Sequence, residues 1–197
     1  MSTPHAAIVL LGAGASQRYG AAKLVLPIDG VAMLRRAALA ARAACARVIV
    51  VTGAQRELTE PLLAQLDVQI AFNPDWAQGM GRSIAHGVQR ALERDAALDA
   101  VLIALADQYR VGAVEYAALL RAHEANPDAI VAAGYADTFG APCVFPRAFF
   151  ARLRGLRGPG ARALLQANRE RVHVVPLELA AYDIDTPLDF ATAQRNA

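Results

Sequence analysis

The amino-acid sequence predicts an α/β fold in which helices cover both faces of a mostly parallel sheet. Short apolar runs alternate with helical stretches along the chain, which is the element order of this class. Three runs, which begin at Ile8, Val48 and Val101, are continuous rather than alternating, as expected of parallel strands buried on both faces. No linker rich in Pro, Gly or Ser divides the 197 residues, so we expect a single domain over residues 1–197.

The individual elements follow from local patterns. Apolar runs predict strands at residues 6–11, 47–51, 68–72, 100–105, 129–133 and 143–145. Helices are predicted at residues 33–46, 81–94 and 114–124, and in the second of these Ile84, Val88 and Leu92 recur at one-turn spacing. The last third is expected to extend the same sheet, with a glycine-containing connection at residues 134–140 and two helical segments separated at Gly158-Pro159-Gly160.

Composition and charge exclude several classes of function. The net charge is +2 and the 19 arginines are dispersed, so no large basic face for nucleic acid is expected. Cys45 and Cys143 lie far apart without metal-binding or redox spacing, which favours free thiols in a reducing cytoplasm. The first apolar run is short and no basic segment precedes it, so we predict neither a signal peptide nor a membrane span.

A loop of small residues follows the first predicted strand and ends at Lys23, the single lysine of the chain. Backbone N–H groups in such a loop can approach phosphates, while Arg18 and Lys23 can neutralise their charge, which favours a nucleoside triphosphate. A dinucleotide fingerprint is excluded by Gln17, and a Walker loop is excluded because two alanines separate Gly20 from Lys23. A tight turn without a ligand is the alternative. The candidate nucleotide-binding residues here are Leu11, Gly12, Ala13, Gly14, Ser16, Arg18 and Lys23.

A triphosphate needs its charge screened, usually by Mg²⁺ held through one or two carboxylates. Asp107 is the best candidate, because it ends an apolar strand at the edge where ligands of parallel sheets bind; its alternative is a strand-end cap. Asp183 and Asp185 alternate onto one side of an extended segment. Thr186-Pro187 also predicts the start of a helix, so capping remains open for Asp183, whereas a functional role is favoured for Asp185.

The segment from Asn73 to Ser83 is a loop that leads into a helix. Unpaired N–H groups at a helix N-terminus can bind an anion or a base carbonyl. Asn73, Gly79, Met80 and Ser83 are therefore further candidates for nucleotide binding. Capping by Ser83 and a turn role for Asn73 stay open.

Residues 11–23 resemble the signature L-x-x-G-x-S-x-R-M-G-x-x-K of the MobA-like NTP transferase family, whose members load a nucleotide onto molybdopterin. Ser16 resembles the cytidylyltransferase branch more than the guanylyltransferase branch, while Gly12 and Tyr19 replace the usual alanine and methionine. The resemblance implies a three-layer, Rossmann-like nucleotidyltransferase fold. The main positions of the signature are occupied by Gly14, Ser16, Arg18, Gly20 and Lys23.

Four more segments resemble motifs of this family in the right order. Residues 73–83 resemble N-P-x-x-x-x-G-M-x-x-S, residues 106–109 resemble G-D-Q-P, and residues 183–189 resemble D-I-D-T-P-E-D. Residues 140–145 resemble the strand G-x-P-x-x-F, which is predicted to form a wall of the acceptor site. Trp76 is either part of this wall or a packing residue of its own loop. Residues 158–162 also look like a shortened G-D-x-G-A-R segment without its aspartate.

The resemblance assigns roles to these positions. Asp107 and Asp185 would hold Mg²⁺, and Arg18, Lys23 and Asp107 would be catalytic. The acceptor would be bound by Gly140, Pro142, Arg162 and Asp183.

The function implied is transfer of CMP from CTP to the terminal phosphate of molybdopterin, with release of pyrophosphate. A molybdoenzyme or its maturation factor would then be a partner. Two alternatives remain open: a transferase that uses GTP or a sugar phosphate, and a non-catalytic cofactor-binding module that docks on a molybdoenzyme.

Overall fold

A seven-stranded sheet forms the centre of the computed structural model, which describes residues 5–195. The strand order is β5-β4-β1-β6-β8-β7-β9, and β8 alone runs antiparallel to its neighbours. A separate hairpin pairs β2 with β3. The strands are β1 (Ala6–Gly12), β2 (Pro27–Ile28), β3 (Val31–Ala32), β4 (Val48–Thr52), β5 (Gln69–Phe72), β6 (Ala100–Leu105), β7 (Ile130–Tyr135), β8 (Thr138–Pro146) and β9 (Val172–Pro176).

Helices cover both faces of this sheet, which confirms the predicted α/β class. Alternate residues of β1 enter two separate apolar clusters, Ile8 and Leu10 on one face and Val9 and Leu11 on the other. Helices α1, α4 and α7 pack on the first face, and α3, α5 and α6 pack on the second. The helices are α1 (Met33–Ala44), α2 (Arg56–Thr59), α3 (Met80–Arg94), α4 (Ala113–Ala125), α5 (Phe150–Arg154), α6 (Arg162–Ala167) and α7 (Pro187–Arg195).

The last third of the chain extends the same sheet, as predicted, but its details differ. The predicted strand at residues 143–145 is the end of the nine-residue β8. The connection before it is only Ala136-Asp137, which turn with φ angles of 46° and 56°. Strand β9 and the β2–β3 hairpin were not predicted. Strand β9 lies at the sheet edge and leaves Val174 44% exposed, so it lacks the continuous burial of the central strands.

The parallel part of the sheet brings the two main candidate segments together. Leu11 pairs with Leu105 at the carboxyl ends of β1 and β6, so the glycine-rich loop and Asp107 emerge side by side. Among the described residues, no helix combines the length and apolar character needed to cross a membrane. Cys45 and Cys143 are both free, and burial raises the pKa of the Cys143 thiol to about 12. That the chain forms one domain over residues 1–197 stays a prediction.

Candidate active site

Backbone contacts anchor the loop that follows β1. Ala13 O accepts a hydrogen bond from Ala54 N at 3.1 Å. This approach requires glycine at position 53, because a Cβ on Gly53 would lie 2.5 Å from Ala13 O. The strand after which the loop begins is buried along its whole length, so the position of the loop is fixed by the core.

The loop then turns back on itself. Ser16 has a φ of 53°, and its carbonyl accepts hydrogen bonds from the N–H groups of Tyr19 and Gly20, both at 3.0 Å. The turn directs both Arg18 and Lys23 toward the carboxyl end of the sheet. Arg18, inside this turn, and Lys23, three residues after it, therefore both line one cavity.

A cavity of about 410 Å³ lies at this edge of the sheet. Its volume falls in the range typical of small-molecule sites. Most of the predicted nucleotide and metal residues meet there: Leu11, Gly12, Ala13, Gly14, Ser16, Arg18, Lys23, Gly79, Met80, Ser83, Asp107 and Asp185. The wall also contains residues to which we assigned no nucleotide contact, namely Ala15, Gln17, Leu24, Trp76, Ala77 and Leu105.

Four charged side chains that line the cavity form ion pairs with one another, and we call Arg18, Lys23, Asp107 and Asp185 the ion-pair cluster. Lys23 Nζ lies 2.8 Å from Asp107 Oδ2 and 3.0 Å from Asp185 Oδ1. Arg18 Nη2 contacts the other oxygen of Asp185 at 2.8 Å. Lys23 is only 9% exposed, whereas the Arg18 side chain is 74% exposed. The lysine is thus a buried contact between the two carboxylates, and the arginine is an exposed contact of Asp185.

The electrostatics of the cluster favour the charged form of Lys23. Burial lowers the pKa of the Lys23 ammonium, but the Asp107 and then the Asp185 carboxylate outweigh burial, so the pKa lies above its ordinary value. At Asp183 the same two carboxylates act with partial desolvation, the largest cause, to raise the pKa. Asp183 is exposed and does not line the cavity, which separates it from Asp185.

Asp107 is held by the backbone on both of its sides. Its carbonyl accepts a hydrogen bond from Ile184 N at 3.2 Å, which ties the end of β6 to the segment before α7. The neighbouring Gln108 is buried and donates to Ala141 O at 2.9 Å and to Ala180 O at 2.8 Å. These bonds fix the local turn although Ala106 and Tyr109 differ from the family motif.

The Asp185 side chain forms ion pairs with Arg18 and Lys23 and does not cap α7, because Thr186 and Asp189 cap this helix. Thr186 Oγ1 accepts a hydrogen bond from Asp189 N at 3.3 Å, and Asp189 Oδ2 accepts one from Thr186 N at 2.7 Å. This is a reciprocal N-terminal cap. The hydrogen bond that the Thr186 hydroxyl donates to Asp189 Oδ2 at 2.8 Å, and then the backbone N–H groups of Thr186 and Asp185, lower the pKa of Asp189. The prediction that Thr186-Pro187 begins the last helix is confirmed, and the capping role left open for Asp183 belongs to Thr186 and Asp189.

The start of α3 forms another wall of the cavity. Gly79 precedes the helix with a φ of 103°, and a Cβ there would lie 2.5 Å from Gly158 O. Gly81 N donates to the same carbonyl at 2.9 Å. The shortened segment at residues 158–160 therefore fixes the N-terminus of α3, where Met80 is 45% exposed.

Asn73 lies behind this wall and does not line the cavity. It is 2% exposed, and its Nδ2 donates to Ser83 Oγ at 3.1 Å. Its Oδ1 accepts a hydrogen bond from Asp75 N at 3.0 Å, so the predicted turn role is present as well. Ser83 is the fourth residue of α3 and does not cap it. Asn73 thus orients Ser83, which is one of the residues that line the cavity.

The predicted acceptor residues Gly140, Pro142, Arg162 and Asp183 do not line the cavity. Gly140, Arg162 and Asp183 lie near Tyr135, and we call these four residues the Tyr135 region. A Cβ on Gly140 would lie 2.7 Å from the Tyr135 hydroxyl. Burial raises the pKa of Tyr135, as do Cys143 and Asp183, while Arg162 lowers it. Arg162 and Asp183 are exposed and Pro142 is buried. Tyr135 was missed by sequence reasoning, and its register opposite Thr138 beside Gly140 depends on the β7–β8 pairing.

Comparison with known proteins places this geometry in a family. The sequence profile of the MobA-like NTP transferase domain matches residues 8–173. The chain belongs to the MobA-like NTP transferase family. It is accordingly a nucleotidyltransferase, and the match includes the glycine-rich loop and Asp107.

Two relatives in this family match nearly the whole chain. The purine catabolism protein PucB of Bacillus subtilis (strain 168) is 29% identical over 211 residues, which cover 99% of this chain and 98% of that protein. The molybdenum cofactor cytidylyltransferase of Escherichia coli (strain K12) is 28% identical over 191 residues and 94% of each chain.

Solved structures establish the same fold. The crystal structure of Rv0371c from Mycobacterium tuberculosis H37Rv superposes with a TM-score of 0.82 at 24% identity, over 99% of this chain and 100% of that one. Its complex with manganese gives a TM-score of 0.78 at 23% identity, over 98% and 99%. This likeness in fold covers nearly the whole of this chain.

Nucleotidyltransferases generally use a divalent metal, and the ion-pair cluster of this MobA-like protein fits one. A positive ammonium already lies between Asp107 and Asp185. The buried Asp107 Oδ1 has no hydrogen-bond partner among residues 5–195. Within the same range no group of three or more His, Cys, Asp and Glu side chains is placed to hold a metal. Two carboxylates suffice for Mg²⁺ when phosphate oxygens and water complete the shell.

Proposed function

We propose that this nucleotidyltransferase transfers CMP from CTP to the terminal phosphate of molybdopterin. An oxygen of that phosphate would form a bond to the α-phosphorus of CTP, and the bond to the β-phosphate would break to release pyrophosphate. The acceptor oxygen is already anionic, so no strong general base is required. Alignment and charge screening would then supply the catalysis.

The observation that carries this proposal is the ion-pair cluster beneath the glycine-rich loop. Lys23 and Arg18 supply positive charge 2.8 Å from carboxylates that line the cavity, where the phosphates of a bound triphosphate would lie. The backbone of residues 12–14 lines the cavity and can donate N–H groups to the nucleotide. These positions match the chemistry of pyrophosphate displacement.

Asp107 and Asp185 would hold Mg²⁺, which when bound screens the triphosphate charge. Arg18 and Lys23 would stabilise the phosphates and the leaving pyrophosphate. Ser83, oriented by Asn73 at 3.1 Å, would contact the nucleotide from the α3 side. Arg162 and Asp183 would contact the acceptor at the Tyr135 region.

The choice of CTP and molybdopterin rests on two supports. Ser16 matches the cytidylyltransferase form of the loop motif, and the Escherichia coli relative is by name a molybdenum cofactor cytidylyltransferase. Family membership favours an enzyme over the non-catalytic binding module. We also propose a cytoplasmic location, supported by the free thiols of Cys45 and Cys143.

The test is pyrophosphate release by the purified protein with Mg²⁺. We expect release with CTP that requires molybdopterin, and much less with GTP or with a sugar phosphate as acceptor. Equal or faster pyrophosphate release with GTP would reject CTP as the preferred donor. Release that depends on a sugar phosphate and not on molybdopterin would reject molybdopterin as the acceptor.

A further inference from the structure

Lys23 occupies the space between the two carboxylates that we propose as metal ligands. Its Nζ lies 2.8 Å from Asp107 Oδ2 and 3.0 Å from Asp185 Oδ1, and the residue is 9% exposed. Mg²⁺ binds carboxylate oxygens at about 2.0–2.1 Å, so an ion between these oxygens would overlap the ammonium. The two cations cannot occupy this position together.

We propose that Lys23 and the divalent metal compete for the Asp107–Asp185 pair. A bound nucleoside triphosphate would draw Lys23 to its phosphates and so leave the two carboxylates to the metal. This inference rests on the metal role proposed above for the two aspartates. In the nucleotide-free protein the ammonium would fill the site. The metal would bind well only when the triphosphate gives Lys23 another anionic partner.

The surroundings of Lys23 allow this exchange. Its side chain reaches the same cavity as the glycine-rich loop, so phosphates held by the loop would lie within reach of the ammonium. A lysine is a compact point charge on a flexible four-carbon stem, whereas an arginine fork is rigid and planar. Among residues 5–195 the Arg18 side chain, which is 74% exposed, forms an ion pair with Asp185 and none with Asp107, so it does not fill the space between the two carboxylates.

The exchange would make metal and nucleotide binding cooperative. Each ligand favours the state in which Lys23 has left the carboxylates, so each raises the affinity for the other by the same factor. Metal alone would bind weakly to the free protein. The carboxylates would meanwhile stay neutralised by Lys23.

The composition offers a direct readout, because Lys23 is the single lysine. Protein labelled with ¹³C and ¹⁵N lysine gives one side-chain NMR signal, which reports this ammonium alone. We expect Mg²⁺ without nucleotide to shift the signal in a saturable way and to speed its exchange with water. The Asp107→Asn variant should lose the saturable shift, while Glu93→Gln, on the exposed part of α3, should keep it.

A saturable Mg²⁺ binding isotherm by calorimetry with an unmoved Lys23 signal would overturn the proposal, since the two cations would then bind without competing. A shift that NaCl of equal ionic strength reproduces would overturn it as well. Both measurements use the wild-type protein and therefore do not depend on how well a variant folds.

A second measurement follows free Mn²⁺ by electron paramagnetic resonance. Lys23→Met should bind Mn²⁺ about 10-fold more tightly than the wild type without nucleotide, a typical size for such coupling. Arg18→Met, the matched loss of a positive charge, should change the affinity much less. With CTP present the order should invert, because the wild-type lysine then helps to hold the phosphates. Lys23→Met that binds Mn²⁺ no more tightly than the wild type without nucleotide would contradict competition.

These outcomes are separable from those of the proposed function, because neither titration contains an acceptor. Displacement of Lys23 by Mg²⁺ in a protein that releases no pyrophosphate with molybdopterin would reject the substrates and keep the competition. Acceptor-dependent pyrophosphate release with an unmoved Lys23 would keep the substrates and reject the competition.

Discussion

The ion-pair cluster and the Tyr135 region are built in different ways. In the cluster, Lys23 is held between two carboxylates at 2.8 Å and 3.0 Å, and the loop above it is fixed by backbone hydrogen bonds. In the Tyr135 region, Arg162 and Asp183 are exposed side chains on separate elements, one at the start of α6 and one before α7. Their influence reaches Tyr135 electrostatically.

The difference indicates that the fold determines the geometry of the ion-pair cluster more closely than that of the Tyr135 region. Backbone hydrogen bonds hold the glycine-rich loop and the segment around Asp107, so the placement of the cluster is set once the sheet has formed. Exposed side chains on separate elements can change without disturbing the core. We expect substitutions at the cluster to act on kcat and substitutions in the Tyr135 region to act on the acceptor KM.

The largest effect is expected from Asp107→Asn. The substitution removes a carboxylate that neutralises Lys23 and that we propose as a metal ligand, so kcat for pyrophosphate release should fall about 10²- to 10³-fold. Steady-state kinetics with CTP and acceptor measure the loss. Asp137→Asn, in the exposed β7–β8 turn, is the matched control and should behave as wild type. An Asp107→Asn enzyme with wild-type kcat would remove this residue from the mechanism.

Lys23→Arg is the next test, because it keeps the charge and changes only the geometry. A guanidinium is larger and planar, and Lys23 is 9% exposed, so the fork cannot take the same place between the carboxylates. We expect kcat to fall about 10- to 100-fold, less than a full loss of the charge would cause. Thermal melting in parallel separates this effect from misfolding. Unchanged turnover would show that positive charge alone matters here.

A smaller and different change is expected from Tyr135→Phe. The variant removes one hydroxyl near Asp183 and Arg162, and a single hydrogen bond contributes about 0.5–1.5 kcal/mol. The acceptor KM should therefore rise about 2- to 10-fold while the CTP KM stays the same. A rise in the CTP KM instead would assign Tyr135 to the nucleotide and end the distinction between the two regions.

The same distinction describes what the sequence could predict. The runs in β1, β4 and β6 are apolar on both faces, so the parallel core was predictable from continuous apolar runs in the sequence. The carboxyl ends of neighbouring parallel strands meet at one edge, and this rule brought Lys23 and Asp107 into one predicted site.

Features that depend on pairing between distant segments were out of reach. Tyr135 faces Gly140 only because β7 and β8 pair in one register, with a shift between Ala132 and Ala133. Strand β9 is held at the edge by its pairing with β7, although its own sequence leaves Val174 exposed. Asn73, a residue of the family motif, is buried and orients Ser83 through a hydrogen bond. No local pattern specifies such contacts.

Thr186→Ala tests whether the cluster depends on the cap of α7. Loss of the cap should lower the free energy of unfolding by about 1 kcal/mol, and Tm by about 2–4 °C for a chain of this size. Asp185 should stay in place because Lys23 and Arg18 hold it, so kcat should change little. Differential scanning calorimetry and kinetics check both parts. A kcat loss as large as that of Asp107→Asn would show that α7 positions the carboxylate.

The smallest effect is expected from a histidine that lies outside both regions. His123 on α4 is buried, and burial lowers its pKa below the ordinary 6.5, although Asp99 raises it in part. The unfolded chain therefore takes up a proton near pH 6.5 that the folded protein still refuses, so stability should fall as pH drops below that value. His86 on α3 is shifted in the same direction, again by burial. In His123→Gln the decline of Tm between about pH 7 and pH 5.5 should be shallower than in the wild type. An equally steep decline of Tm would assign the acid sensitivity to other groups. A change in the acceptor KM of this variant would show that His123 affects acceptor binding although it lies outside both regions.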